Sequence, residues 1–369
     1  MEVYIMNKSK FSAFQFACLF VFPILSLFSG IGTYNVIRIS RVDSYMSPIF
    51  AGIIGTIVIM LFMYIFNYMP DKNLPAKNKV LFGKFLGTII NYVISLLFLI
   101  IGVVLIYNIS NFAVSQFLAE TPLLVVMLLF GVILVYNVSL GIENISRVGI
   151  IFFGIICLLT LLSTAGVIPN VEMSNIKPVL EYGIDEPIIG SLFLVMVNIV
   201  PIFSLLIVEK DMLIDRKNTN KYIWIFYGIA IIFIFLTMFL TISSLGIYLS
   251  LEYQYPEYTV LKTISFLNFI DRIENFVYIK WILSSIMFLS IIIYYISVNV
   301  TMRSKRIVPS IVLGIMIYAA LNIFKNNTIF YNLTTDYLTY VGGMLFVIFI
   351  IIGINILIRK LLRIDDGNN

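Results

Sequence analysis

The chain has 369 residues, 61% of them apolar and only 12% charged, with 24 Lys and Arg against 19 Asp and Glu and no histidine. A soluble domain carries roughly twice that share of charge, too much of a shortfall for a water-soluble globule of this size to cover itself. Without histidine there is no Ser-His or Cys-His nucleophile, no imidazole metal ligand and no imidazole proton relay.

At ~20 apolar residues per membrane-crossing helix, the composition and a mean hydropathy of +1.04 predict one polytopic membrane domain of ten spans. The first apolar run, Phe11–Ile37, is interrupted by Ser29-Gly30-Ile31-Gly32. It is too long for a signal peptide and has no small-residue cleavage site, so it reads as a span. Ser47–Met69, Phe85–Tyr107, Pro122–Leu140 and Val148–Val167 follow, and then a longer polar segment, Ile168–Glu186. The second set is Pro187–Val208, Tyr222–Leu249, Ile273–Ser297, Ile307–Phe324 and Leu338–Ile358. Helices are expected because unpaired backbone groups cannot face lipid, and the alternating pattern of a membrane barrel is absent from the sequence. Cys18 and Cys157 both lie within apolar runs and read as small core hydrophobes.

Ten spans place both termini on one side of the membrane, and the basic residues choose that side. Seventeen Lys and Arg fall in the loops shared with the termini against six opposite, with Lys280 inside a span. The termini are therefore predicted to be cytoplasmic, and the net charge of +5 is a topology signal rather than a nucleic-acid patch. The two long opposite loops, Ile168–Glu186 and Ser250–Arg272, are acidic. They read either as a solvated outer face or as a docking surface for an extracytoplasmic partner.

Interruptions carry more information than the Ile, Leu and Phe around them. The first span contains Ser29-Gly30-Ile31-Gly32-Thr33, where glycine permits unwinding and close approach of a ligand to freed backbone groups. The sixth contains Asn198-Ile199-Val200-Pro201, where proline removes an amide donor and a kink or break is expected. These are the first members of two five-span halves, roughly 11–167 and 187–358. Paired broken helices in matching positions point to an inverted-repeat transporter fold with a binding site at its middle; a lone GxG also serves helix packing. Ser29, Gly30, Gly32, Thr33, Asn198 and Pro201 are the candidate ligand-binding residues. No Asp or Glu lies deep inside a span. Lys280, about two turns into the eighth span, either snorkels outward or pairs with an outer acid, or faces inward as a fixed positive charge near the site. Arg272 and Glu274 sit at the mouth of the same span, where two residues two apart do not face each other.

Three stretches resemble the spore-germination permease family, the B-type subunits of nutrient germinant receptors, within the amino acid–polyamine–organocation transporter superfamily. They are Gly30-Ile31-Gly32 with Arg38, Arg41-Val42-Asp43 and Ser47–Gly55; Tyr255-Pro256-Glu257-Tyr258 with Ile264-Ser265; and Phe269–Asn275 with Trp281. The resemblance implies an all-α bundle in the inner membrane of a spore or in a bacterial cell membrane. Such a subunit senses a small nutrient, often an amino acid, together with an A-type membrane subunit and a C-type lipoprotein. By position, Gly30, Gly32, Thr33 and Asn198 line the pocket, and Arg272 and Glu274 are structural or gating residues. The chain departs from the family at Val36-Ile37 and at Val197–Val200. Two functions stay open: a receptor subunit, and a secondary amino acid transporter. No enzyme chemistry, metal or cofactor is expected.

Overall fold

An apolar run long enough to cross lipid closes its backbone hydrogen bonds most economically as a helix, and the computed structural model, which describes residues 10–262, 274–300, 304 and 306–362, follows that rule. Among the described residues there are thirteen α-helices and no strand. They are α1 (Ala13–Cys18), α2 (Val21–Leu27), α3 (Thr33–Ser40), α4 (Ser47–Asn67), α5 (Leu74–Gln116), α6 (Leu123–Ser139), α7 (Ile142–Val167), α8 (Asp185–Leu194), α9 (Thr219–Glu252), α10 (Pro256–Lys262), α11 (Asn275–Asn299), α12 (Ile307–Ile323) and α13 (Asn327–Leu361). Seven helical segments are long and apolar enough to cross a membrane, the first, Ala13–Asn67, containing two of the predicted runs; α6 and α12 are shorter apolar helices.

Large apolar side chains cover the outside of the bundle: Phe85 is 77% exposed, Val132 71% and Ile53 63%. A patch of that kind is the surface that lipid covers. Inside, α11 packs on α2, α5, α6 and α7, while α8 packs on α3 and α4. α13 crosses α4 and α5 and meets the stretch that follows α8.

The two predicted interruptions are built differently. Between α2 and α3 the backbone opens: Ser29 has ψ 130° and Gly30 φ +77°, a left-handed conformation that only glycine adopts without strain. The segment after α8 does not open. It changes pitch, first to wide turns over Val195–Ile199 and then to a 3-10 run, Val200–Ile207, with Pro201 in its first turn. There the missing proline N–H is one that the new run leaves unpaired in any case, and no glycine is present to turn the chain. The expected break at Pro201 is thus a change of winding.

At one end of the bundle the chain turns between α4 and α5. Gly83 (φ +79°) splits α5 into a short arm and a long one. Lys77, 1% exposed, donates to the last carbonyls of α4, Ile65 O at 2.9 Å and Phe66 O at 3.2 Å. Asn91 donates to Pro75 O and accepts from Asn78, Asn299 of α11 donates to Asn91 O, and Arg359 of α13 donates to Val80 O at 2.9 Å. Beside this turn stand stacked phenylalanines, Phe16 on Phe66 and Phe203 on Phe349 at 3.9 Å between centroids.

Candidate functional site

The opened backbone at Ser29 and Gly30 disturbs the helical pairing of nearby carbonyls, and side chains donate to them. Asn198 Nδ2 donates to Ile24 O at 3.0 Å, and Trp281 Nε1 of α11 donates to Ser26 O at 3.0 Å. Thr33 Oγ1 donates to Phe28 O at 3.2 Å. One step beyond, Asn35 donates to Ile31 O and accepts from Thr335 of α13 at 2.7 Å. Four of the predicted ligand-binding residues therefore form or hold the break itself: Ser29 and Gly30 open it, and Thr33 and Asn198 bond its carbonyls.

The freed amide has a partner that sequence reading did not supply. Gly30 N–H donates to Glu257 Oε1 at 2.7 Å, although Glu257 lies in the loop between α9 and α11. In the acidic loop, which reads from sequence either as a solvated face or as a docking surface, Glu257 is 4% exposed and its second oxygen, Oε2, has no hydrogen-bond partner among the described residues. Burial pushes its carboxyl up to about 7, against the pull of the Gly30 amide, the nearby Thr33 hydroxyl and the Lys280 ammonium toward the charged form.

Other polar atoms converge on the same place unpaired. Asn108 of α5 is fully buried with neither amide atom bonded among the described residues, and Asn198 Oδ1 is likewise unpartnered there. A Cβ on Gly30 would stand 2.7 Å from the Trp281 ring and 3.2 Å from Asn108 Nδ2, and one on Gly32 3.5 Å from Asn198 Oδ1. Aromatic rings seal this end: Phe112 touches Tyr255, Tyr258 and Trp281 at 4.6, 5.1 and 5.0 Å between centroids.

Lys280 faces into the bundle. Its Nζ donates to Ser163 Oγ of α7 at 2.9 Å instead of snorkelling to the surface. Lys280 and Glu257 border a cavity of about 30 Å³, with Thr160, Ser163 and Thr164 of α7 and Thr237 and Thr241 of α9 on its other walls. The two charges feel each other but form no direct ion pair.

Of the remaining predicted residues, Ser29 is half-buried at the opened turn and Pro201 is buried in its 3-10 run. Glu274 occupies the N-cap position of α11 without a side-chain capping bond. Arg272 lies outside the described residues. The Arg41-Val42-Asp43 stretch works as a brace. Asp43 accepts from Leu180 N at 3.0 Å, and Arg41 lies 4.5 Å over the Tyr182 ring and 3.7 Å from Glu186.

Comparison with known proteins gives the family and the fold. Over 274 residues the chain is 25% identical to spore germination protein KB of Bacillus subtilis (strain 168), covering 73% of this chain and 72% of that one. Over 275 residues it is 22% identical to spore germination protein YndE of the same organism, covering 74% and 75%. In fold it is similar to a Na+-coupled sialic acid symporter solved in a substrate-bound, outward-open state, with a TM-score of 0.60 and 12% identity over 92% of this chain and 79% of the symporter. Residues 10–304 match the family model described as spore germination protein, and the chain, a helical membrane protein with a transporter-like fold, belongs to that family.

Proposed function

We propose that the chain is the nutrient-sensing subunit of a spore germinant receptor. It binds a small nutrient of the amino acid class and works with an A-type membrane subunit and a C-type lipoprotein. In this reading ten spans form two inverted halves, 11–167 and 187–358, in the inner membrane of the spore, with both termini cytoplasmic. The observation that carries it is the meeting of the opened backbone at Gly30 with Glu257 of α10. A loop helix docked directly on the broken span couples occupancy of the site to the shape of the surface around it. Sensing needs only such a difference in affinity between two states, and no ion gradient.

The second reading is a secondary amino acid transporter, favoured by the fold shared with a symporter. The two separate in one experiment. In spores lacking the chain, the wild-type gene should restore the nutrient response and Gly30→Leu should not, with equal protein in the membrane. A Gly30→Leu protein that inserts and responds at wild-type nutrient concentrations removes the break from the function. Accumulation of labelled amino acid in vesicles carrying the chain alone would favour transport over sensing. Single cysteines at Pro178 and Gln254 should label from outside and one at Arg216 should not; the reverse pattern inverts the topology.

A further inference from the structure

We infer that the groove between α12 and α13, floored by α5, is a site for an acyl chain of an anionic phospholipid. The inference needs the chain to lie in a membrane and stands apart from the sensing reading. Both α12 and α13 pack on α5. Where they part they leave a groove of about 390 Å³, walled by Leu99 and Val103 of α5, Ala319 and Ile323 of α12, and Leu338 and Val341 of α13. Tyr337 and Ile323, which also border it, are exposed, so the groove opens onto the lipid-covered outside of the bundle.

The first argument is lining and size. Of the twelve described residues around the groove, only Thr334 and Tyr337 carry a polar side-chain atom, and none is charged. Water finds too few partners in such a space, and a space left empty forfeits the packing contacts of its walls. An apolar cavity of about 150 Å³ takes benzene, six carbons. By that measure about 390 Å³ holds on the order of fifteen carbons, most of an acyl chain.

The second argument is the way in. Phe324 ends the α12 wall, and its ring packs against Tyr107 and Phe330 at 4.9 and 5.0 Å between centroids. These rings close the groove toward the α12–α13 connection, so a chain enters sideways, from the leaflet that meets that connection.

The third argument is charge. Lys325 directly follows Phe324, is exposed, and forms no ion pair among the described residues. The one acid in the sequence between Arg306 and Asp365 is Asp336, nine residues into α13, about 14 Å along its axis. A lipid phosphate at the level of Lys325 meets a cation while its chain lies in the groove. The site also has a neighbour of consequence. Thr334 borders the groove, and the next residue, Thr335, bonds Asn35 just past the opened turn.

The test reconstitutes the full chain in phosphatidylcholine vesicles containing a small share of phosphatidylglycerol brominated on its acyl chains, which quenches tryptophan on contact. Tyr337→Trp places a reporter on the groove. Val132→Trp places a control on the exposed face of α6 at matching depth, nine residues into its helix against ten. The signal of Trp224 and Trp281 is subtracted with the wild-type chain. Quenching of the groove reporter should saturate at a low share of brominated lipid, while the control follows the bulk share throughout. Brominated phosphatidylcholine should bind the groove about fivefold more weakly, the worth of one lysine beside an anionic headgroup. Lys325→Gln should remove that preference, and Ala319→Phe, which fills the groove, should bring the reporter down to the control.

The comparison of two reporters and two lipids stands even where Ala319→Phe fails to fold. The inference is overturned if the groove reporter follows the bulk share as the control does, or if the two brominated lipids quench it equally. It is overturned also if a folded Ala319→Phe protein keeps the full excess, since the chain would then lie elsewhere.

Discussion

The two ends of the bundle close by opposite means. Around the α4–α5 turn the closure is phenylalanine on phenylalanine, and the polar groups there are cations and amides spent on backbone carbonyls: Lys77 on Ile65 and Phe66, Arg359 on Val80, Asn91 on Pro75. Around α10 the closure is tyrosine and tryptophan over a buried acid, a lysine and an asparagine, with polar atoms left unpaired. At the first end the donors cross-tie helices through backbone carbonyls, with Asn78 Oδ1 left without a partner among the described residues. At the second a buried carboxylate oxygen and both amide atoms of Asn108 are left so, and the better satisfied network is the more rigid. The first end therefore reads as the fixed part of the molecule and the second as the part that answers a ligand.

That contrast breaks first, and most visibly, at Phe203. Its ring stacks on Phe349 within the fully buried core, so Phe203→Ala should cost about 3–5 kcal/mol in a denaturant titration of the purified protein. A loss under 1 kcal/mol would mean that this end is loosely packed and that the contrast is false. Next comes Lys77→Met, which keeps the length of the side chain and strips both α4 carbonyls of a charged donor. A cost of about 1.5–3 kcal/mol is expected, with the nutrient threshold of whatever protein survives unchanged.

At the other end the order of effects reverses. Trp281→Phe preserves a ring beside Gly30 and loses only the donation to Ser26 O. It should cost about 0.5–1.5 kcal/mol yet shift the nutrient threshold more than Lys77→Met does; equal thresholds would erase the distinction between the ends. The last effect is in pH. The Glu257 carboxyl is raised from 4.5 to about 7, so the folded chain holds its proton where the unfolded chain has lost it. Between about pH 4.5 and about 7 the folded state binds more protons, and its stability falls as pH rises through that window and levels off above it. Thermal midpoints measured across the window should show this slope in the wild type and a flatter one in Glu257→Gln; parallel slopes would place the titration elsewhere.

Hydropathy and glycine made much of the framework legible. The run Ser47–Met69 is α4 to within two residues at its end, and the glycine at position 30 has the left-handed backbone that glycine alone tolerates. Local rules worked where the cause was local. Pro201 did lose a donor, but whether the chain then opens or rewinds depends on its neighbours, and without glycine it rewound. The acid at the heart of the candidate site was invisible for a different reason. Glu257 meets Gly30 across 227 positions of sequence, from a polar loop whose composition matches a solvated surface. The one pointer to it was the Tyr255-Pro256-Glu257-Tyr258 stretch, quoted for its resemblance and not for its chemistry. The direction of Lys280 was undecidable for the same reason: a lysine two turns into a span reaches either water or the bundle, and only the partner, Ser163, chooses.

α13 has a mechanical consequence. It runs without a break from Asn327 to Leu361. Thr335 near its start is tied to Asn35 just past the opened turn, and Arg359 near its end to the carbonyls of Val80 and Leu81 at the α4–α5 turn. The two ties lie 24 positions apart, a rise of about 36 Å along an α-helix. An unbroken helix is stiff along its axis, so a slide of Asn35 by an ångström is delivered as a tug of the same size on the opposite end of the protein. The rod joins the opened turn to the α4–α5 turn, and the short arm of α5, set off at Gly83, is where a pull along it is felt.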